Sequence, residues 1–164
     1  MTLVFQKQDH QLSMNNIKVG IVSGYFNPLH RGHLEYVNSA KEKCDYLICI
    51  VNNDDQINVK GSDLFMDEQH RLFIMSNIKA INKALVCIDK DSSVANTLRE
   101  IADSIPDKSC ELFFFNSGDR SYDNQNQQEI NACKEKSITR VFINLPKIYS
   151  SSQLKLDFST NNVK

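Results

Sequence analysis

From Ile17 onward, short continuous apolar runs alternate with longer segments of helical period, and this alternation narrows the possible fold more than any other property of the chain. The runs Ile17–Ser23, Tyr46–Val51, Ala84–Ile88, Glu111–Asn116 and Arg140–Asn144 have strand length. Several, such as Tyr46–Val51, are too uniformly apolar to present one face to water, which is the pattern of parallel strands covered on both sides by helices. The segments between them supply such helices. The first is expected from about Gly32 to Lys43, with Leu34, Val37 and Ala40 on one face, and the second from about Asp67 to Lys79, with Leu72, Met75 and Ile78 inward. A third follows Ser92 and Ser93, plausible caps, with Val94, Leu98 and Ile101 inward and Pro106 beyond its end.

The expected fold class is therefore α/β: a Rossmann-like, doubly wound, parallel five-stranded sheet in a single domain. With 164 residues, 41% of them hydrophobic, there is material for one core and little more. Residues 1–16 are polar and aperiodic and read as a loose N-terminal extension, 17–158 as the domain, and 159–164 as a C-terminal tail. Nineteen basic against twenty acidic residues give a net charge of −1, which argues against a broad surface for nucleic acid or for an anionic membrane. No apolar run has membrane-spanning length, and no cationic segment leads a hydrophobic stretch at the N-terminus, so a cytoplasmic location is expected. Cys44, Cys49, Cys87, Cys110 and Cys133 form no Cys-x-x-Cys pair, consistent with reduced thiols and with no protein-held metal.

In open sheets of this kind ligands gather at the carboxyl ends of the strands. The first strand ends in Ser23-Gly24-Tyr25-Phe26-Asn27-Pro28-Leu29-His30-Arg31-Gly32-His33, and a helix follows at once. Gly24 and Gly32 permit tight turns and close backbone approach, and the helix start offers free amide hydrogens and a positive dipole end, a place for phosphate. His30 and His33, at i and i+3, can face one ligand there. Imidazoles donating hydrogen bonds to a phosphate under attack would favour its transition state over its ground state. On spacing alone, the same pair would serve nearly as well as helix caps or zinc ligands.

The segment Gly24 to Leu34 closely resembles the Gly-x-Phe-Asp-x-x-His-x-Gly-His signature of the cytidylyltransferase-like nucleotidyltransferases, with Asn27 where that family commonly has Asp. A second stretch, Lys147-Ile148-Tyr149-Ser150-Ser151-Ser152-Gln153-Leu154, resembles the family's Ile-Ser-Ser/Thr-Thr/Ser turn, whose hydroxyls and amides hold the outer phosphates of a nucleotide. Between them, Asn116-Ser117-Gly118-Asp119-Arg120 is similar to the Gly-Asp segment lining the family's nucleotide and acceptor pocket, although a surface turn with a local ion pair is the plainer alternative. The resemblance runs from Ile17 to Leu154. It implies His30, His33, Lys60 and Ser151 as catalytic residues. It implies Gly24, Tyr25, Phe26, Asn27, Gly32, Gly118, Asp119, Arg120, Tyr149, Ser150, Ser151 and Ser152 as nucleotide-binding, and Lys60, Arg71 and Asn116 as substrate-binding. Lys60, in the loop after the second strand, and Arg71 are as easily read as solvated charges.

What the resemblance implies is a nucleotidyltransferase that moves a nucleoside monophosphate from CTP or ATP onto a phosphorylated small molecule. Magnesium would be carried on the triphosphate, and the protein would form a homodimer. Its small single domain and Gly118-Asp119 lean towards CTP with a glycerol-phosphate, amino-alcohol phosphate or sugar phosphate acceptor. Those enzymes usually carry Arg-Thr-Glu-Gly before the serine turn, however, where this chain has Leu145-Pro146-Lys147-Ile148. Adenylyl transfer to a sugar phosphate or pantetheine-like phosphate stays open beside it, as do a silent nucleotide-binding relative and a zinc module built on His30 and His33.

Overall fold

A computed structural model of the chain describes residues 16–107, 109–117 and 126–145. Five strands, β1 (Lys18–Gly24), β2 (Tyr46–Val51), β3 (Lys83–Val86), β4 (Glu111–Asn116) and β5 (Ile138–Phe142), form one sheet in the order β3-β2-β1-β4-β5, every pairing parallel. The helices are α1 (Arg31–Lys41), α2 (Asp54–Val59), α3 (Glu68–Ser76), α4 (Ala95–Ser104) and α5 (Gln127–Glu135). The chain winds outward from β1 to β3 and then returns to lay β4 on the other side of β1. The β1/β4 junction is thus the switch point, the place at the carboxyl ends where open sheets of this kind bind ligands.

Alternating strand residues feed two cores. Val19, Ile21, Ile48, Ile50 and Phe114 pack with Val94, Leu98 and Ile101 of the α4 segment and with Ala132 and Cys133 of α5. Val22, Leu47, Cys49, Val51 and Phe115 pack with Val37 and Ala40 of α1 and with Met75 of α3. Both faces of β1 and β2 are therefore dry, as their unbroken apolar runs require. No helix among the described residues is long and apolar enough to cross a membrane.

The two-sided sheet and three of the helices match expectation to within a few residues. Two helices do not appear in the apolar pattern. In α2 only Gln56 and Ile57 are buried, too short a run to show a period, yet Asn53 and Gln56 form a reciprocal cap that starts it. In α5 the buried side is Glu129, Ala132 and Cys133, a thin apolar stripe, and Asn126 caps it by accepting from the Gln128 amide. The last strand begins two residues earlier than its apolar run suggested, because Ser137, at a φ of 54°, turns the chain from α5 directly into Ile138.

Gly20, in the middle of β1, has no room for a side chain: a Cβ there would lie 2.6 Å from Cys44 Sγ and 2.7 Å from the Phe115 ring. Substitution Gly20→Ala overpacks the sheet and should lower stability by about 1–3 kcal/mol. The expected readout is a lower urea midpoint with an unchanged slope; an unchanged midpoint would contradict this packing.

Candidate active site

The turn after β1 is shaped by its aromatic residue. Phe26 sits at a φ of 50°, and its ring, 1% exposed, folds back beneath Gly24, where a Cβ would approach it to 2.7 Å. Only glycine leaves that space. The same ring meets His33 edge-on, with centroids 5.0 Å apart. Phe26 is thus the floor on which the histidine turn rests.

His30 occupies the N-cap of α1 and His33 its first turn, and their rings stack with centroids 3.7 Å apart. The backbone N–H of His30 donates to Nδ1 of His33 at 3.3 Å. A nitrogen that accepts carries no proton, so neutral His33 bears its hydrogen on Nε2. Burial pushes the pKa of His33 down to about 3, helped by the adjacent His30 and by Lys60. Burial also lowers that of His30. Nδ1 of His30 is buried and has no partner among the described residues. The outcome is a pair of uncharged imidazoles at a helix start, one with its donor fixed in place.

Lys60 supplies the positive charge nearby. It caps the C-terminal end of α2 rather than standing in an open loop, and its ammonium lies 4.4 Å from the centre of the Tyr25 ring. Asn116 closes β4 at the same sheet edge, beside the β1 terminus, with its carbonyl accepting from Ile143 at 2.7 Å. The fold therefore brings together Gly24, Tyr25, Phe26, His30, Gly32, His33, Lys60 and Asn116 at or near the switch point. Gly118, Asp119, Arg120, Tyr149, Ser150, Ser151 and Ser152 lie outside the described residues.

Arg71 departs from expectation. Its side chain is 0% exposed: Nε donates to the Met66 carbonyl, Nη1 to the carbonyls of Tyr25 and Asn52, and Nη2 to Asp54 at 2.6 Å. A guanidinium committed to three carbonyls and a carboxylate has no face left for a substrate phosphate. Arg71 is a buried strut, not a substrate ligand. Asn27 likewise spends its amide inside the protein, donating to the Asp63 carbonyl and accepting from the Phe65 and Met66 amides.

Beyond β2 lies a polar lattice absent from the candidate residues. Fully buried Gln56 accepts from Asn52 Nδ2 and the Asn53 amide and donates to the carbonyls of Asp91 and Ser93. Asn53 ties α2 to the Cys87 and Asp89 carbonyls. The Asp89 carboxylate in turn accepts from the Asn96 and Thr97 amides and the Thr97 hydroxyl at the start of α4. The visible sequence signal was the Asn53-x-x-Gln56 capping box. Among the described residues, no group of three or more His, Cys, Asp or Glu is placed to hold a metal ion. Burial raises all five thiols, Cys87 and Cys133 to about 11, so none is prepared as a nucleophile.

Comparison with known proteins gives the chain its family and supports its fold. The sequence profile of a family described as cytidylyltransferase-like matches residues 21–161. The FAD synthase of Picrophilus torridus is 29% identical over 85 residues, 52% of this chain and 60% of that protein. The FAD synthase of Methanosarcina mazei is 34% identical over 85 residues, 52% of this chain and 54% of that protein. The chain thus spans little more than half the length of these curated relatives. Among solved structures, the lipopolysaccharide core biosynthesis protein of Thermoplasma volcanium GSS1 superposes with a TM-score of 0.62 at 22% identity. That alignment covers 82% of this chain and 100% of the other, and it supports the fold.

The pKa of His33, near 3 in the folded chain, lies well below the ordinary value of 6.5. Nitrogen NMR should therefore show His33 neutral, with the proton on Nε2, from pH 8 down to 5. Because the unfolded chain binds the extra proton first, stability should fall as pH drops from about 6.5 towards 3. Protonation of His33 above pH 5, or a proton on Nδ1, would contradict this geometry.

Proposed function

The chain belongs to the cytidylyltransferase-like family, and on that premise we propose that it is a nucleotidyltransferase that joins a nucleoside monophosphate to a phosphorylated small molecule and releases pyrophosphate. The observation that carries the reading is the stacked, uncharged His30/His33 pair at the N-terminus of α1, with Lys60 as the adjacent cation. An oxygen of the acceptor phosphate attacks the α-phosphorus of a nucleoside triphosphate, and the bond from that phosphorus to the bridging oxygen breaks. Pyrophosphate leaves with the electron pair. A phosphate acceptor is already ionised at neutral pH, so the site needs no general base.

The chain's contribution is positioning and charge. Nε2–H of His33, with His30 beside it, donates to the α-phosphate oxygens as negative charge grows on them, while amides of the first turn of α1 and the Lys60 ammonium attract the phosphates. Bound magnesium, which the family resemblance implies, would neutralise charge on the triphosphate. The serine turn at 150–152 remains our assignment for the outer phosphates, on resemblance.

ATP is the donor this reading favours. Relatives sharing 29% and 34% identity are FAD synthases, and FAD is an AMP unit joined through a pyrophosphate linkage to a flavin phosphate. CTP, towards which the sequence leaned, is the second reading and is supported by the family's own description.

A pyrophosphate-release panel crossing ATP, CTP, GTP and UTP with flavin mononucleotide, glycerol phosphate, phosphocholine, phosphoethanolamine and sugar 1-phosphates decides the matter. Turnover is expected with ATP and one acceptor. CTP-only turnover would select the second reading, and silence across the panel would defeat the enzyme reading. With the active pair, His33→Ala should lower kcat about 100-fold or more, as when one transition-state donor is removed elsewhere; unchanged kcat in a folded variant would remove His33 from the role given to it.

A further inference from the structure

Asn27 stands in the histidine turn, yet its polar atoms are engaged by the backbone of residues 63, 65 and 66. Its residue is 5% exposed. Nδ2 donates to the Asp63 carbonyl at 2.8 Å, and Oδ1 accepts from the amides of Phe65 at 2.8 Å and Met66 at 3.1 Å. Two backbone donors and one backbone acceptor fix the orientation of the amide without ambiguity.

The segment so held runs from Lys60 to Met66. At its start, Gly61 and Ser62 donate to the Asn58 and Ile57 carbonyls at the end of α2, with Gly61 at a φ of 69°. At its end, Arg71 Nε donates to the Met66 carbonyl. Asn27 joins this segment to the turn carrying His30 and His33, and Arg71, bonded to the Met66 and Tyr25 carbonyls, ties its far end to the same turn. With Lys60 itself anchored at the end of α2, the segment that follows it is thereby held against the histidine turn.

We propose that Asn27 is a positioning residue, latching the Lys60-bearing segment to the histidine turn through an oxygen that accepts from two backbone amides and a nitrogen that donates to a carbonyl. It rests on the transfer reading only for its kinetic consequence, since the latch itself is observable without turnover. A carboxylate at this position keeps the two accepted bonds but sets a negative oxygen against the Asp63 carbonyl. A protonated carboxyl restores the donor.

Asn27→Asp and Asn27→Ala are compared with the unaltered chain by amide hydrogen exchange and by kinetics with the active substrate pair. At pH 8, Phe65 and Met66 in the Ala variant should exchange about tenfold or more faster than in the parent, the scale expected when buried amides lose their acceptor. Acceptor KM should rise by a similar factor while kcat changes little. The Asp variant, which keeps both accepted bonds, should hold Phe65 and Met66 close to the parent at pH 8 and at pH 5. The Ala variant should stay impaired at both pH values.

Parent-like protection of Phe65 and Met66 in the Ala variant at pH 8 would overturn the proposal. So would an Asp variant that follows the Ala variant at every pH. Loss of nucleotide affinity with an unperturbed 63–66 segment would also overturn it, and would return Asn27 to nucleotide contact. Lack of turnover in the parent would defeat the transfer reading while leaving the exchange result to decide the latch.

Discussion

The buried guanidinium of Arg71 is the interaction on which the carboxyl edge of the sheet depends. Strands that end at a crevice leave carbonyls without ladder partners, and a buried carbonyl without a donor is costly. Arg71 meets this need at the Tyr25 carbonyl after β1, the Asn52 carbonyl after β2 and the Met66 carbonyl before α3. Asp54, in the first turn of α2, offsets its charge. A permanently charged planar fork suits this task better than a lysine, because several donors leave one rigid group in set directions. Removing it would strand a carboxylate and three carbonyls together, so the residue is hard to replace for reasons unrelated to substrate.

Around that strut the edge is built from amides rather than from hydrophobic contacts. Asn27 binds the segment before α3, Asn52 and Asn53 bind Gln56, and Gln56 reaches the carbonyls of Asp91 and Ser93. Amide side chains both donate and accept and add no charge, so they can stitch loops together in a low-dielectric place without perturbing nearby titrations. Burial and the neighbouring His30 act on His33 first, and the Lys60 cation lowers its pKa further. A scaffold of uncharged amides with a lysine beside it is a suitable surrounding for a polyanionic ligand.

Much of the fold could be read from the chain because apolar periodicity reports burial directly. Tyr46–Val51 can hardly be anything but an interior strand, and the stripes of α1, α3 and α4 follow from the need to cover it. The histidine pair was visible for the same reason, since its place after β1 follows from the alternation. Arg71, Asn27 and the Asn53–Gln56 lattice were not. Most of their partners are backbone carbonyls from segments 19 to 46 residues away along the chain, and carbonyls carry no residue-specific signature. A charged or amide side chain near a predicted ligand site invites a ligand-binding reading, and only burial and partners distinguish the strut from the contact. Helices α2 and α5 escaped notice through shortness and polarity, although their caps were written in Asn53 and Asn126.

The uncharged state of the imidazoles bears on how such a site could work. A protonated pair would attract a triphosphate strongly in its ground state, and binding that is equal in ground and transition states does not accelerate chemistry. A neutral imidazole with a fixed Nε2–H interacts modestly with a resting phosphate and more strongly as charge accumulates on the oxygens during attack. The bond from the His30 backbone to Nδ1 of His33 sets the tautomer before any ligand arrives, and stacking on His30 against the Phe26 edge fixes the ring plane. The donor direction is thus settled during folding, so no reorientation is needed during the reaction. In the proposed reaction Lys60, held at the end of α2, would provide ground-state attraction, and the histidines would be left to respond to charge as it develops.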